Sequence, residues 1–465
     1  FTPSRAARGT ASMNRLLGCL AVLTGAAALV AEPPAVAVKK KPAPPTSTLN
    51  MPLTGLAPAP VVPNLCVLRY PVGTRSAECQ AHCDQGLAYL YSYVWMEAAR
   101  SFETAARHDP ECAFAWLGLH RALDKWGKGK PATDPFLAVA GAAFQPKVPD
   151  RFTRAPGLTA LETAKGLMPK APHREQLLVR AKLEEKGMLP GVGPDDRKKK
   201  AQATLDELLT LHEDDEEGWF ARAQIAEGPN ASAPLYKALL RVNPLHPGAN
   251  HELVHFFEQV KRPALGWPYA EGYMKSSPGV PHAFHMQAHL AMRLGKWQDT
   301  TDRSRKAYEL EKAYHAALKV KPEDDHQFRH HAETLTRGLV HDGRFAEARQ
   351  VKAEAAGYKF EFRAEWFRMA VAAHDWPAAQ AVVDGLRKSD KATASYYAAV
   401  LALEQGDPDR AAAEVDTLRL SQQNKKPGKD AKVQELRLWE AHGRLLCQTG
   451  QADGGLKLLK RAVDR

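Results

Sequence analysis

The sequence predicts an all-α fold built from consecutive helical hairpins. Helical periodicity of apolar residues recurs along most of the 465 residues, and no alternating strand pattern competes with it. Small and aromatic residues also recur at a spacing of about 34 residues, most clearly from Cys79 to Pro110. One such hairpin cannot bury its apolar face alone, so a single well-formed copy predicts neighbouring copies.

The best-defined unit carries residues at informative positions. If Cys79 is position 1, Gly86 is at position 8, Ala98 at 20, Phe102 at 24 and Pro110 at 32. Small residues let the two helix backbones approach, the aromatic ring fills the remaining gap, and proline follows the end of the second helix. These are signature positions of the tetratricopeptide repeat, so the chain resembles that family. The resemblance implies a right-handed α-solenoid.

The N-terminal 76 residues differ from the rest of the chain. Residues 1–37 are predicted to be an N-terminal extension and a secretory signal, since one positive charge, Arg15, directly precedes the apolar stretch 16–31. An uncleaved signal acting as a membrane tether is the alternative. Residues 38–76 are predicted to be a disordered linker, because ten prolines lie between 32 and 76.

The helical part is divided into two regions by the quality of the repeat pattern. Residues 77–245 are predicted to be repeats with an irregular insertion near 124–156, where glycine and proline interrupt the helical pattern. Residues 246–465 are predicted to be better registered repeats. Paired residues at repeat positions 15 and 17, such as Gly343 with Phe345 and His374 with Trp376, mark the turns between helices.

Charge and motifs narrow the classes of function. The net charge is +11, of which residues 1–76 contribute eight basic residues against one acid, or +7, and the rest is mixed in sign. Nucleic-acid binding is therefore not expected. The sequence holds no phosphate-binding loop, dinucleotide fingerprint, serine-hydrolase elbow or H-E-x-x-H motif. No small-molecule cofactor and no enzymatic activity are expected from these patterns.

Histidines occupy matching positions in two neighbouring repeats. His251 and His255 are four residues apart, as are His285 and His289, and the second pair follows the first by 34 residues. Each pair shares a helix face at positions 5 and 9, and His282 is at position 2. In tetratricopeptide proteins these positions face the concave groove where partners bind. The resemblance therefore implies that these histidines line one groove.

Three interpretations of the histidines remain open. In the first, they form a polar lining of the groove and are hydrogen-bonded to Glu252, Glu258 or backbone carbonyls. In the second, they recognise an acidic or C-terminal peptide, together with Glu333 and Arg337, which take positions 5 and 9 of the unit beginning at Arg329. In the third, they form a zinc-type metal site, for which imidazole is a suitable ligand. That site would use four residues: His251, His255, His285 and His289.

Three cysteines are candidates for a disulfide. Cys79 and Cys83 lie one helical turn apart, which is poor geometry for bonding each other, whereas Cys112 begins the next unit. We expect Cys112 to pair with Cys79 or Cys83 in an oxidising compartment. A metal site made by Cys79, His82 and Cys83 is the alternative.

These patterns lead to one functional expectation and one alternative. The chain is expected to be an exported, non-catalytic scaffold of the periplasm or cell envelope, or a secreted one, that binds a protein or peptide partner in its concave groove. Residues 250–295 also show a weaker resemblance to exported bacterial tetratricopeptide proteins with similar histidine-bearing helices, which implies a functional role for these histidines without naming one. The alternative is a histidine-rich, zinc-type metal site in the groove that serves binding or hydrolysis.

Overall fold

The chain folds into helices throughout the part that the structure describes. This structure, a computed structural model, describes residues 50–127, 155–322, 325–422 and 428–464. Within these ranges there are twenty α-helices and no β-strand, which confirms the all-α helical repeat fold. The helices are α1 (Ala77–Tyr91), α2 (Trp95–His108), α3 (Ala113–Trp126), α4 (Pro156–Leu167), α5 (His173–Lys186), α6 (Arg197–Leu211), α7 (Glu216–Gln224), α8 (Pro229–Val242), α9 (Pro247–Gln259), α10 (Pro263–Ser276), α11 (Pro281–Arg293), α12 (Trp297–Leu318), α13 (His326–His341), α14 (Phe345–Gly357), α15 (Arg363–Ala372), α16 (Trp376–Ser389), α17 (Lys391–Glu404), α18 (Pro408–Gln422), α19 (Lys429–Gln448) and α20 (Ala452–Val463).

Several predictions concern residues outside these ranges. The signal peptide in 1–37, the start of the linker up to residue 49 and most of the insertion near 124–156 lie outside the described residues. At the edges of the insertion, α3 continues to Trp126 and α4 begins at Pro156. Among the described helices, none is both long enough and apolar enough to cross a bilayer.

The turn inside each hairpin uses a left-handed backbone conformation at repeat position 15. Glycine fills this position four times with φ between +70° and +83°: Gly295, Gly343, Gly406 and Gly450. Glycine has no Cβ and adopts this conformation without steric cost. Tyr93, Lys261 and His374 adopt it with φ of +60°, +57° and +55°, at a cost on the order of 1 kcal/mol each. The pattern of positions 15 and 17 therefore located these turns correctly.

Small residues allow close helix packing in the first unit, as the sequence predicted. The side chain of Phe102 in α2 is fully buried between Gly86 in α1 and Gly118 in α3. A Cβ atom added at Gly86 would lie 2.8 Å from the Phe102 ring, and one at Gly118 would lie 2.3 Å from it. Both distances are shorter than a carbon–carbon contact of about 3.5 Å, so these two positions require glycine.

The first hairpin also contacts helices that are far away in sequence. The α1–α2 turn, residues 91–94, lies against α9, α10 and α13, and we call this contact the closure. The Tyr273 hydroxyl of α10 donates a 2.7 Å hydrogen bond to the Ser92 hydroxyl. The Gln327 side-chain amide of α13 donates to the Ser92 carbonyl at 3.2 Å. A single hydrophobic cluster extends from Leu53 to Val320 and includes Tyr91 and Tyr273 at the closure.

The C-terminal helices pack more locally. Three smaller clusters follow the large one, spanning residues 308–369, 367–401 and 399–445. The large cluster crosses the predicted boundary between residues 245 and 246 without a break. That boundary therefore separates well-registered repeats from poorly registered ones and does not separate two cores.

Residues 50–76, which we call the N-terminal segment, differ from the unpacked linker that the sequence predicts. Met51, Leu53, Leu65 and Leu68 are buried. The Glu103 carboxylate of α2 accepts hydrogen bonds from the backbone N–H of Leu53 at 2.7 Å and from that of Thr54 at 2.8 Å. The prolines still prevent regular structure, but the apolar residues between them cover the faces of α1 and α2. Proline content alone was therefore misleading here.

Candidate metal centre

Three histidines from neighbouring repeats converge near the closure. His251 and His255 of α9 and His282 of α11 each place one ring nitrogen so that all three nitrogens lie within 4.8 Å of one another. We call them the inner triad. The Nε2 atoms of His251 and His282 are 3.1 Å apart. His251 and His282 are buried, and His255 is half-buried. The sequence placed His251 and His255 on one helix face, and the fold brings His282 to them.

The tautomer of His251 is fixed by the backbone. Its Nδ1 lies 2.6 Å from the carbonyl oxygen of Tyr91, to which it donates its proton. The Nε2 atom of a neutral His251 therefore keeps its lone pair and faces the other two rings. Burial removes the solvation of the charged form and lowers the pKa values of His251 and His282 well below the ordinary value. A backbone-oriented, neutral imidazole is a typical metal ligand.

Two ring nitrogens of the inner triad are buried without a hydrogen-bond partner. These atoms are Nε2 of His255 and Nδ1 of His282. Buried polar atoms in proteins are usually bonded, because leaving one unbonded costs about 1–3 kcal/mol. The inner triad therefore holds nitrogen atoms that its protein neighbours do not satisfy.

Tyr93 covers the inner triad from the closure. Its ring centroid lies 4.6 Å from that of His251, 5.7 Å from that of His255 and 6.0 Å from that of His282. Its hydroxyl donates a 3.0 Å hydrogen bond to the Glu252 carboxylate. Burial, together with the negative charge of Glu252, raises the pKa of Tyr93. The phenol therefore stays protonated and acts as a hydrogen-bond donor.

A second group of three histidines lies on the neighbouring repeat. His285 and His289 of α11 and His330 of α13 also place one nitrogen each within 4.8 Å of one another, and we call them the outer triad. The Nε2 atoms of His289 and His330 are 3.2 Å apart. His285 is buried, His289 is half-buried and His330 is exposed. The outer triad therefore connects the buried region with the surface.

A carboxylate orients one ligand of the outer triad. Glu258 Oε1 lies 3.3 Å from Nδ1 of His289 and 3.2 Å from Nε of Arg293. Hydrogen bonding to His289, together with the nearby Arg293 guanidinium, lowers the pKa of Glu258 to about 2. Glu258 is thus ionised and accepts the Nδ1 proton of His289, which leaves Nε2 for a ligand. This carboxylate–histidine pair has the same role as the carbonyl at His251.

The two triads are equivalent by repeat position. Each consists of positions 5 and 9 of one repeat and position 2 of the next. Position 2 is His282 in the unit beginning at Pro281 and His330 in the unit beginning at Arg329. The position-2 residues are 48 residues apart and not 34, because α12 is extended and the following loop is longer. Histidines at the same three repeat positions therefore come together twice in succession.

His331 lies between the triads. Its ring centroid is 4.2 Å from that of His285 and 5.9 Å from that of His282. Its Nδ1 is hydrogen-bonded to the buried Glu311 carboxyl of α12. Beside it, His315 Nε2 lies 2.9 Å from Asp325 Oδ2. Glu311, His315 and Asp325 also lie close enough to share an ion, but the hydrogen bond between His315 and Asp325 already accounts for two of these groups.

The predicted groove residues fall into two locations. All five histidines of the prediction lie in the two triads, and His251 and His285 are at most 1% exposed. The closure covers the inner triad, so the buried side chains of His251 and His282 do not line an open groove, whereas His289 of the outer triad is half-buried. Glu333 and Arg337 lie farther along α13, where Arg337 Nε contacts Glu365 at 2.5 Å and its NH2 group contacts Glu333 at 3.4 Å. The role of these residues in partner binding stays a prediction.

The predicted disulfide residues also lie together. One ligand atom of each of Cys79, Cys83 and Cys112 lies within 4.8 Å of the others, all three side chains are buried, and each is a free thiol in the structure. This proximity is compatible with a bond from Cys112 to either of the other two cysteines. The ring of His82 stacks on that of His108, and His82 is not part of the group of sulfur atoms. The pairing stays a prediction.

Sequence reasoning missed four residues that the structure places at the site: Tyr93, Glu311, His330 and His331. His330 carried a usable signal, since it occupies position 2 of its unit, as His282 does. Tyr93 carried a weaker signal as an aromatic residue at a turn position that glycine fills elsewhere. No sequence signal pointed to Glu311, because its position near the histidines depends on the extension of α12.

No protein-family profile and no curated protein match the sequence. Among similar solved structures, a tetratricopeptide repeat protein from Parabacteroides merdae is 11% identical, with a TM-score of 0.40 over 56% of this chain and 92% of that chain. Yeast Tom70 is 12% identical, with a TM-score of 0.34 over 84% and 85%. Cut9 in its complex with Hcn1 is 10% identical, with a TM-score of 0.32 over 83% and 87%.

Similarity at this level gives no information about function. The helical-repeat fold follows from the helices of the chain itself, and the array is similar to those of tetratricopeptide proteins. The functional proposal below rests on this chain's own pair of histidine triads at equivalent repeat positions.

Proposed function

We propose that the protein binds a divalent transition metal of the zinc type at the inner triad. The observation that carries this proposal is the convergence of three imidazole nitrogens within 4.8 Å, with His251 held by a backbone carbonyl so that its Nε2 faces the other two rings. Imidazole suits zinc, copper, nickel and iron. Three protein nitrogens leave a fourth tetrahedral position for water or another donor.

The distances fit such an ion. With metal–nitrogen bonds of 2.0–2.1 Å, two ligands of a tetrahedral site are about 3.3 Å apart. The Nε2 atoms of His251 and His282 are 3.1 Å apart, so an ion fits between them with little movement. A histidine–histidine hydrogen bond also explains this single distance. It does not explain why Nε2 of His255 remains buried and unbonded.

The test is the metal content of the untagged protein after zinc exposure and gel filtration. We expect bound zinc in the wild type and its loss from the inner site in His255→Gln and His282→Gln. Cobalt substitution should give visible ligand-field bands of a nitrogen-rich tetrahedral site. Coordination by the cysteines would instead give a thiolate-to-cobalt charge-transfer band, which separates the two kinds of site.

The chain offers a matched control. His173 Nδ1 and His212 Nε2 are 3.2 Å apart on the surface, the same spacing as in the triads but without a third histidine among the grouped ligands. His212→Gln should leave the metal content unchanged. If the wild type binds no metal, or if His212→Gln removes as much metal as His282→Gln, the inner triad is not a metal site.

A second function, binding of a protein or peptide partner by an exported scaffold, is favoured by the C-terminal helices. The clusters that follow residue 320 are small and local, and large apolar residues near the end of the array, Leu456 and Val463, are 60% and 84% exposed. An unclosed repeat array provides an extended surface for a partner. The test is capture of a partner from envelope extract by wild type but not by Leu456→Asp. Equal capture by both proteins would exclude this end of the array.

Hydrolysis is not part of the proposal. The inner triad is covered by Tyr93, and its central ligand His251 is 0% exposed. A substrate would need access to the fourth ligand position, and only His255 of the three ligands is more than slightly exposed. We therefore propose metal binding and not metal-assisted catalysis.

A further inference from the structure

The outer triad has the features of a second metal site that opens to the surface. We propose that it binds a second divalent metal ion and passes it to the inner triad. The transfer part of this inference rests on the proposed metal binding at the inner triad. The outer site itself stands on its own geometry and is tested separately below.

Repeat symmetry is the first argument for the outer site. His285 and His289 take positions 5 and 9, and His330 takes position 2 of the following unit, as in the inner triad. The close nitrogen pair joins positions 5 and 2 in the inner triad, at 3.1 Å, and positions 9 and 2 in the outer triad, at 3.2 Å. A chance cluster of histidines would not be expected to occupy the same three repeat positions in two successive units.

The support around the outer triad is the second argument. Glu258 holds Nδ1 of His289, so Nε2 of His289 faces Nε2 of His330. The buried Nδ1 of His285 has no hydrogen-bond partner. Arg293 shares Glu258, and this ion pair offsets the positive charge that would otherwise oppose a cation. The site thus combines a ligand of fixed orientation, His289, a buried nitrogen of His285 without a hydrogen-bond partner, and a nearby arginine whose charge is balanced by Glu258.

A continuous series of imidazole rings joins the two triads. The ring centroids are 4.4 Å apart from His289 to His285, 5.6 Å from His285 to His282, and 4.8 Å from His282 to His251. The series begins beside the exposed His330 and ends at the fully buried His251. An ion can therefore move inward by exchanging one ligand at a time, without leaving nitrogen donors.

The transfer needs no other reactant. At each step one imidazole–metal bond breaks as another forms, and water occupies the open positions. The oxidation state of the ion does not change.

The experiment measures stoichiometry and loading rate with cobalt ions and the full untagged chain. We expect two ions per wild-type chain and one ion in both His289→Gln and His330→Gln. The inner site should fill severalfold more slowly in these two variants, as followed by stopped-flow absorbance. His330 is exposed, so its replacement should not affect folding, which circular dichroism would verify. His212→Gln is the control and should behave as the wild type.

The outcomes separate this inference from the proposed function. One ion in the wild type that is lost in His255→Gln and retained in His330→Gln would overturn the outer site and leave the inner site standing. One ion that is lost only in the outer variants would overturn the inner site and the transfer. Two ions with an unchanged rate of inner loading in His330→Gln would overturn the transfer alone.

Discussion

The packing of Phe102 gives a prediction whose sign can be worked out from the structure. The perturbation is Gly118→Ala in the middle of α3. In an exposed helix interior this change stabilises a protein by about 1 kcal/mol, because alanine has the better helix propensity. Here the new Cβ would lie 2.3 Å from one Phe102 ring carbon and within 2.6 Å of two others. The ring would have to move by more than about 1 Å to restore a normal contact.

The opposite side of the ring prevents that movement. Gly86 is already so close that its own added Cβ would lie 2.8 Å from Phe102, and the ring is fully buried. Overpacking of a well-packed core costs about 1–3 kcal/mol. At such a short distance the upper end of this cost applies, about 3 kcal/mol, and the propensity gain of about 1 kcal/mol offsets part of it. We therefore expect Gly118→Ala to lower the free energy of unfolding by about 2 kcal/mol.

The assay is urea denaturation followed by far-UV circular dichroism, with Gly385→Ala as the control. Gly385 is an exposed residue in α16, and a Cβ there meets nothing within 4 Å, so this variant should gain about 1 kcal/mol. Phe102→Leu should remove most of the penalty when combined with Gly118→Ala, which makes the two changes non-additive. If Gly118→Ala is as stable as Gly385→Ala, the packing argument for the signature glycines is wrong.

Three other features give measurable predictions. Burial, aided by the charge of Arg121, lowers the pKa of His246 to about 3, so its contribution to stability is retained above the unfolded pKa of about 6.5 and is lost as the pH falls below that value. Between pH 6.5 and 5, the free energy of unfolding of His246→Asn should therefore fall by about 2 kcal/mol less than that of the wild type, as measured by urea titrations. Glu103→Gln replaces an acceptor of two buried N–H groups, so it should cost about 2 kcal/mol and expose the N-terminal segment to limited proteolysis. Non-reducing peptide mass spectrometry of protein from an oxidising compartment should show Cys112 linked to Cys79 or Cys83, and three free thiols would contradict this pairing.

The sequence was sufficient for the hairpins because their determinants are local. Gly86, Ala98 and Phe102 specify contacts within about 20 residues, and glycine at position 15 specifies each turn. The closure was not predictable in this way. Tyr91 and His251 are 160 residues apart, and their contact depends on the summed rotation of every repeat between them, including an insertion that has no clear periodicity.

The same difference between local and distant contacts explains why only part of the histidine site could be predicted. The pairs at positions 5 and 9 were visible, since a spacing of four residues within a helix is local. The third ligand of each triad comes from the next repeat, and the long α12 moved His330 away from the expected spacing of 34 residues. The four histidines first grouped into one site are therefore divided between two. The prolines of the N-terminal segment correctly indicated that this segment is not helical, but they did not indicate that it is buried.

Tyr93 connects the repeat array to the inner triad. A tyrosine in the left-handed region costs about 1–2 kcal/mol relative to glycine, and four other units avoid this cost with glycine. Such strain persists only where the surroundings compensate for it. Here the compensation is available, because the ring packs on three imidazoles and its hydroxyl bonds Glu252.

Closure of the array and burial of the inner triad are consequently one structural event. The turn that carries Tyr93 also supplies the carbonyl of Tyr91 to His251, so separating the first hairpin from α9 would remove both the cover and the tautomer control. A metal bound only when both are in place stabilises the closed form according to its concentration relative to its dissociation constant, by about 2.7 kcal/mol at a hundredfold excess. The closure contacts should therefore be strengthened by the metal, although none of them is a ligand.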